Sequence, residues 1–335
     1  MTRHGTIGRL SCGAVALAAT LLTPTIGAAD PLGAGNGTIY RLTPESSVEE
    51  GCFAPCMCPV MLTEDVRGTF SLRYTGPSDG LETYAVDDVS WTMPGNEGPV
   101  RIVGSGTYSI GSPDPITVVQ HRMELDLQVG DEPVQRFDSG WLPLGSWSRI
   151  TITVSINDMY CWDTVILIDA LPVPADEVQL YALAAGSTFQ RGCWDPCDCI
   201  LEPERPLIGS FDLVLLEQSL PLTEFAVVNA VWEVVGEPDQ ADIPITGFGV
   251  YQLLGDFVAQ HRLALDLVVD WEPRTLYDSG PVMGGDLFPT IDAVVSINGI
   301  ECYDTVLHVV AAPADWVFSD GFEDGTLSAW PIDPE

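Results

Sequence analysis

The sequence predicts an all-β protein of two tandem antiparallel β-sandwich domains, and three observations carry that reading. Apolar and polar residues alternate with period two in segment after segment. No window of about 11–18 residues repeats its apolar positions at the helical spacing. The chain also matches itself when slid by 141 residues, which places Cys52, Cys56 and Cys58 on Cys193, Cys197 and Cys199.

The alternation is clearest in HRMELDLQV, where His121, Met123, Leu125, Leu127 and Val129 share one face and Arg122, Glu124, Asp126 and Gln128 the other. The second copy keeps the inward set as His261, Leu263, Leu265, Leu267 and Val269. ITITVSI turns Ile150, Ile152, Val154 and Ile156 inward, with Thr151, Thr153 and Ser155 outward. In SINGIECYDTV, Asn298 and Gly299 mark a tight hairpin turn. GTFSLRY, YAVDDVSW and GTYSI add strands between Gly, Pro and Asp clusters. Each unit therefore holds about seven or eight antiparallel strands, as a sandwich or, in the alternative, a small closed barrel.

The self-match fixes the domain plan. Trp91 falls on Trp232, VVQHRMELDL on VAQHRLALDL, FDSG on YDSG, and CWDTV on CYDTV. The plan is a signal peptide over 1–29, a first domain over 37–170, a linker with Pro172 and Pro174 over 171–177, a second domain over 178–311 and a tail over 312–335. The leader has Arg3 and Arg9 before an apolar run from Cys12 to Leu22, then small residues up to Ala29, the pattern of a secretory signal. No later stretch approaches the ~20 apolar residues of a membrane helix.

Thirteen arginines, no lysine and 48 acids give a formal charge of −35. Nucleic-acid binding needs clustered cations on the protein, and anionic lipid surfaces need the same, so neither is an expected partner. The 46 % hydrophobic content belongs to a folded chain, not a disordered polyanion.

Without Cys12, eight cysteines remain: Cys52, Cys56, Cys58 and Cys161 in the first copy, and Cys193, Cys197, Cys199 and Cys302 in the second. An even count in an exported β-protein favours disulfides. Four cysteines allow three pairings. In an extended Cys-x-Cys both side chains point the same way and do not readily bridge each other. Cys161 is thus expected to reach one of the upstream three, the other two pairing locally. The sharper alternative is a metal held by the same thiolates with His121 or His261, although Cys-x3-Cys-x-Cys is not the pair-of-pairs of structural zinc. A redox Cys-x-x-Cys beside a βαβ unit is absent.

Ser139, His121 and Asp138, repeated as Ser279, His261 and Asp278, supply the residue types of a hydrolase triad. The adjacent Asp-Ser-Gly is turn chemistry, and no G-x-S-x-G elbow exposes a nucleophile, so no catalytic residue is expected. Asp320, Glu323 and Asp324 cluster among glycines but match no twelve-residue calcium loop. Trp141, Trp147 and Trp162 lie near polar turns and would serve a glycan platform, with Pro281 and Leu287 or their neighbours facing the first two in copy two. Trp91 and Trp232 recur and belong to the cores.

Two resemblances follow from these motifs. Asp320, Gly321, Phe322, Glu323, Gly325 and Trp330 resemble the DGFE-x-G…W tails that close exported proteins of Gram-negative and related bacteria, which implies an extracytoplasmic fate and surface sorting. The repeats resemble bacterial exported proteins with a GCF-x-PC-x-CPV…CYDTV pattern, from which Ile200 and Leu201 depart where copy one has Pro59 and Val60. Neither resemblance carries an activity. The expectation is an exported, non-enzymatic surface or matrix protein without a cofactor, facing a protein or glycan partner. A carbohydrate-binding module is the alternative and a cysteine-rich metal binder the second.

Overall fold

The computed structural model describes residues 37–58, 60–95, 98–112, 118–219, 221–236, 240–255, 260–283 and 288–314. The expected leader and the DGFE tail lie outside the described residues.

The first repeat comprises β1 (Thr38–Leu42), β2 (Ser47–Cys52), β3 (Met61–Asp65), β4 (Arg67–Ser78), β5 (Leu81–Met93), β6 (Val100–Gly111), β7 (Gln120–Val129), β8 (Gln135–Asp138), β9 (Leu142–Pro143), β10 (Ile150–Ser155) and β11 (Trp162–Pro172). The second comprises β12 (Val178–Leu183), β13 (Thr188–Cys193), β14 (Arg205–Ser219), β15 (Leu222–Val234), β16 (Ile243–Leu254), β17 (Gln260–Val269), β18 (Thr275–Asp278), β19 (Val282–Met283), β20 (Ile291–Ser296) and β21 (Tyr303–Pro313). Among the described residues every pairing is antiparallel and none joins the two sets. The described helix is a single 3₁₀ turn, Ala175–Glu177. No described helix is long and apolar enough to cross a membrane.

Both sheets close on themselves. In the first, β1 bonds to β4 and to β11, so the ladder runs β1-β4-β5-β6-β7-β8-β10-β11 and returns. In the second, β12-β14-β15-β16-β17-β18-β20-β21 returns to β12. Each ring is thinnest at one place, where a single residue pair joins the strands: Asp138 with Ser155, and Asp278 with Ser296. Each sheet is thus closed as in a barrel, with one seam held by a single residue pair.

Burial follows the alternation along β7, whereas β17 also buries Ala264 and Asp266, and β10 buries Ser155, which the pattern turned outward. His121, Met123, Leu125 and Leu127 point into the first core, and His261, Leu263, Leu265, Leu267 and Val269 into the second. The deepest layer repeats as well. Tyr40 stacks on Phe70 at 5.4 Å and Phe70 meets Trp91 edge-on at 6.2 Å, while Tyr181, Phe211 and Trp232 do the same at 5.4 and 6.1 Å.

Three expectations need correction. Ile156 is exposed, because β10 ends at Ser155 and the chain turns there. The turn at Asn298-Gly299 is a six-residue loop, 297–302, and not a two-residue hairpin. The segment read as linker from 171 begins inside β11, since Leu171 and Pro172 pair with Arg41 and Tyr40, and β21 likewise runs on to Pro313.

The repeats pack against each other. Ile39 of the first joins Val214, Ala226 and Val228 of the second in a small apolar cluster. Around it, Arg67 bridges Glu217 at 2.7 Å and the buried Glu224 at 2.8 Å, and Gln252 donates to Glu224 at 2.6 Å. Arg41 reaches Glu177 at 2.8 Å, Arg101 pairs with Asp266, and Arg274 reaches Asp88 at 3.4 Å while lying over the Phe248 ring at 4.5 Å. Truncating Arg67 leaves a buried carboxylate with a single neutral donor. In urea melts, Arg67→Ala is expected to lower stability by about 2–3 kcal/mol. Arg73→Ala, which loses only the exposed Asp87 pair, should cost less than about 1 kcal/mol.

Candidate functional site

The cysteine-bearing end of each repeat is built the same way twice. Cys52 pairs with Cys58 (Cα–Cα 5.6 Å) and Cys56 with Cys161 (4.8 Å). Cys193 pairs with Cys199 (5.2 Å) and Cys197 with Cys302 (4.8 Å). The middle cysteine takes the long link and its flanking neighbours close the short one. Backbone bonds hold the turn: the Phe53 N–H donates to the Cys161 carbonyl at 2.9 Å, and the Trp194 N–H to Cys302 at 3.0 Å. Gly51 and Gly192 sit where the next segment crosses, at φ +157° and +145°. A Cβ there would fall 2.4 Å from the Val60 carbonyl oxygen and 2.5 Å from that of Ile200. This accounts for glycine before the first cysteine of both copies.

The long link is anchored by a residue for which sequence reasoning proposed no role. Asp163, in CWDTV, is buried two positions after Cys161. Its Oδ1 accepts the N–H groups of Ile156 (3.1 Å), Asn157 (3.0 Å) and Thr164 (2.8 Å), and its Oδ2 that of Met159 (2.7 Å). Asp304, in CYDTV, accepts those of Ile297, Asn298, Ile300 and Thr305 at 3.0, 3.1, 2.9 and 2.7 Å. A carboxylate taking four backbone donors dictates the path of the loop that presents Cys161 or Cys302, since orphaned N–H groups in a buried turn are costly. The recurrence of Asp after the Cys-aromatic pair was the available signal.

The triad residues are not brought together. Arg122 grips Asp138 with Nε (2.9 Å) and Nη2, and the Gly140 N–H caps the same carboxylate at 2.8 Å. The Arg122 hydrogen bonds hold the Asp138 pKa below the usual carboxylate range. The Ser139 hydroxyl accepts from the Met123 N–H at 2.9 Å and donates to the Gly140 carbonyl at 2.7 Å. Arg262, Asp278, Ser279, Leu263 and Gly280 repeat the clamp, with Ser279 held at 3.0 and 2.7 Å. His121 instead faces Tyr108, 2.8 Å from its hydroxyl, and His261 faces Tyr251 at 3.4 Å. Burial lowers the His121 pKa, so its ring is neutral near pH 7.

The cysteines of the metal alternative are placed as disulfides. All eight sulfurs are paired, and among the described residues no group of three or more His, Cys, Asp or Glu is placed to hold an ion. The acids of 320–324 lie outside the described residues.

The tryptophans divide. Trp141 is half-buried. Trp147 is partly exposed but stacks on Tyr108 (6.0 Å) and contacts Tyr84 (5.8 Å). Phe288, the neighbour of Leu287, takes that place in copy two, over Phe225 (5.1 Å) and Tyr251 (6.3 Å). Trp162 is exposed beside the staples, as is Tyr303 at the same position of copy two. A groove of about 610 Å³ at the junction of the repeats is lined by Arg41, Asp65, Arg67, Pro94, Leu171 and Glu217 among others, and holds none of the triad residues or cysteines.

Compared with protein-family models, curated proteins and solved structures, the chain gives no match.

Two outcomes are expected. The long disulfides each span 105 residues and the short ones 6. Chain-entropy scaling makes Cys56→Ser/Cys161→Ser cost about 4–5 kcal/mol and Cys52→Ser/Cys58→Ser about 2 kcal/mol, measured by denaturant unfolding. Asp169 is unique to copy one. Burial alone would raise its carboxyl, but hydrogen bonds from Arg149 (2.8 Å), Thr151 (2.6 Å) and Thr43 hold the pKa down to about 2. A lowered folded pKa stabilises above the unfolded value near ~3.9 and is lost as pH falls through the folded one. Unfolding free energy should therefore drop by about 2 kcal/mol between roughly pH 4 and pH 2 through this group, and Asp169→Asn should lack that part of the acid loss.

Proposed function

We propose that the chain is an exported, non-enzymatic protein whose two disulfide-stapled β units present rigid acidic faces to a partner at the cell surface. One observation carries the reading: three polar motifs that recur in both copies serve to hold backbone. The Asp-Ser-Gly segment closes a turn, the Cys-aromatic-Asp segment fixes a loop, and the cysteines cross-link the two ends of each unit. Duplicated residues of this kind support a scaffold. Four disulfides fit an oxidising compartment, and the leader and tail motifs add a route to the envelope. The charge of −35 keeps such faces hydrated and favours cationic partners.

A carbohydrate partner is the second reading, favoured by Tyr160 and Trp162, which are 57 % and 54 % exposed beside the first set of staples. On a glycan array, loss of binding in Trp162→Ala with Trp147→Ala as control would select that reading.

Fractionation of producing cells with thiol counting tests the main proposal. Recovery outside the cytoplasm with no free thiol is expected. Cytoplasmic protein with reactive thiols, or hydrolytic turnover abolished by Ser139→Ala, would contradict it.

A further inference from the structure

The two copies differ at one sheet edge, and the difference has the form of a docking site. β3 continues the line of β4 beyond Met93, where β5 stops. On its inner side it pairs with β2, from Ser47 with Asp65 to Gly51 with Met61. The Cys52 N–H donates to the Val60 carbonyl at 3.3 Å and the Val66 N–H to that of Ser46 at 3.2 Å. Alternation along an antiparallel ladder then turns the N–H groups of Leu62 and Glu64 toward β2, and those of Met61, Thr63 and Asp65 outward. Among the described residues no strand pairs with that outer edge, and all five residues of β3 are exposed.

In copy two the same edge is closed. The matching residues read Glu202-Pro203-Glu204-Arg205-Pro206, and the ladder to β13 shrinks to the pairs of Thr188 with Pro206 and Phe189 with Arg205, plus one bridge of Gly192 with Leu201. The Val235 N–H donates to the Pro206 carbonyl at 2.9 Å. The Arg205 guanidinium covers the edge by donating to the carbonyls of Val234, Val235 and Ala241. Copy one has Pro94, which lacks an N–H, in place of Val235. Prolines and an inserted arginine are what sheet proteins use to blunt an edge. The β3 strand of copy one carries neither.

We propose that the outer edge of β3 accepts an extended strand of another protein, one that sets apolar residues against Met61 and Leu62 and basic residues against Glu64 and Asp65. Main-chain bonds to Met61, Thr63 and Asp65 would give affinity, as in other strand additions. Met61 and Leu62 offer apolar contact. Glu64 and Asp65 on β3, with Glu49 and Glu50 on the neighbouring β2, have no ion-pair partner among the described residues, so the incoming strand supplies the cations. A second copy of this chain would bring the same four acids against them, which like-charge repulsion opposes. The inference rests on the reading of an interaction protein, and names the edge and the partner's chemistry.

The test uses the full chain with an octapeptide of four valines joined to four arginines, and one of four valines joined to four glutamates as control, followed by calorimetry and amide exchange. The basic peptide should bind and slow exchange at Met61, Thr63 and Asp65. Thr63→Pro, which removes one outward N–H and no ladder bond, should weaken binding by about tenfold or more at an unchanged melting temperature. Glu64→Arg with Asp65→Arg should exchange the preference between peptides. No binding, equal binding to wild type and both variants, or slowing of those amides with protein concentration alone would overturn the proposal. Protection elsewhere on the chain would overturn the edge while leaving the interaction reading intact.

Discussion

A buried carboxylate facing four backbone N–H groups is the constraint on which each repeat depends. Asp163 and Asp304 fix the loops between the last two strands of their rings. Those loops hold Cys161 and Cys302 at positive φ, 57° and 53°, a conformation that non-glycine residues adopt only when their surroundings demand it. With the loop set, the long disulfide can reach Cys56 or Cys197 and tie the first strands to the last. The Arg-Asp-Ser clamps act in the same way at the neighbouring turn, beside the one-pair junction where each ring is thinnest. Polar groups thus close the ends of an apolar ring whose middle is held by stacked aromatics.

The distribution of cations gives the surface its character. With 13 arginines against 48 acids, most positive charge is engaged before it can balance the shell. Arg41, Arg67, Arg101 and Arg274 join the repeats, Arg122 and Arg262 clamp turns, Arg149 holds Asp169, and Arg205 caps carbonyls. The junction between the copies is therefore one of few places where opposite charges meet in numbers. The remaining surface is acidic, with solvent as its main counterpart.

Much of this was legible in the sequence. Period-two alternation located the buried faces of β7 and β17, because one face of a strand must meet a core, and the shift of 141 located the second copy of nearly every element. Geometry of an extended Cys-x-Cys fixed which cysteines could not bridge, but which of the upstream three meets Cys161 depends on a turn held by non-local bonds. Ile156 failed because strand termini are set by loop hydrogen bonds and not by pattern. The role of Asp163 was hidden for the same reason: a conserved-looking acid in a polar run reads as solvated until its four donors are in place. The residue facing Trp147 was legible only as Leu287 or a neighbour, because the register between copies changes by one residue between the His and Ser-Ile-Asn segments. Ring closure stood only as the barrel alternative, since the pairing between β1 and β11 joins the two ends of a repeat and leaves no local signal.

Amide hydrogen exchange resolved at Asn157, Met159, Asn298 and Ile300 tests the central constraint directly. These N–H groups lie in exposed loops and have the Asp163 or Asp304 carboxylate as their acceptor. Slow exchange in the native chain, with release at Asn157 and Met159 but not at Asn298 and Ile300 in Asp163→Asn, is the expected result. Exchange of all four at the rate of a free peptide in the wild-type protein would contradict the account.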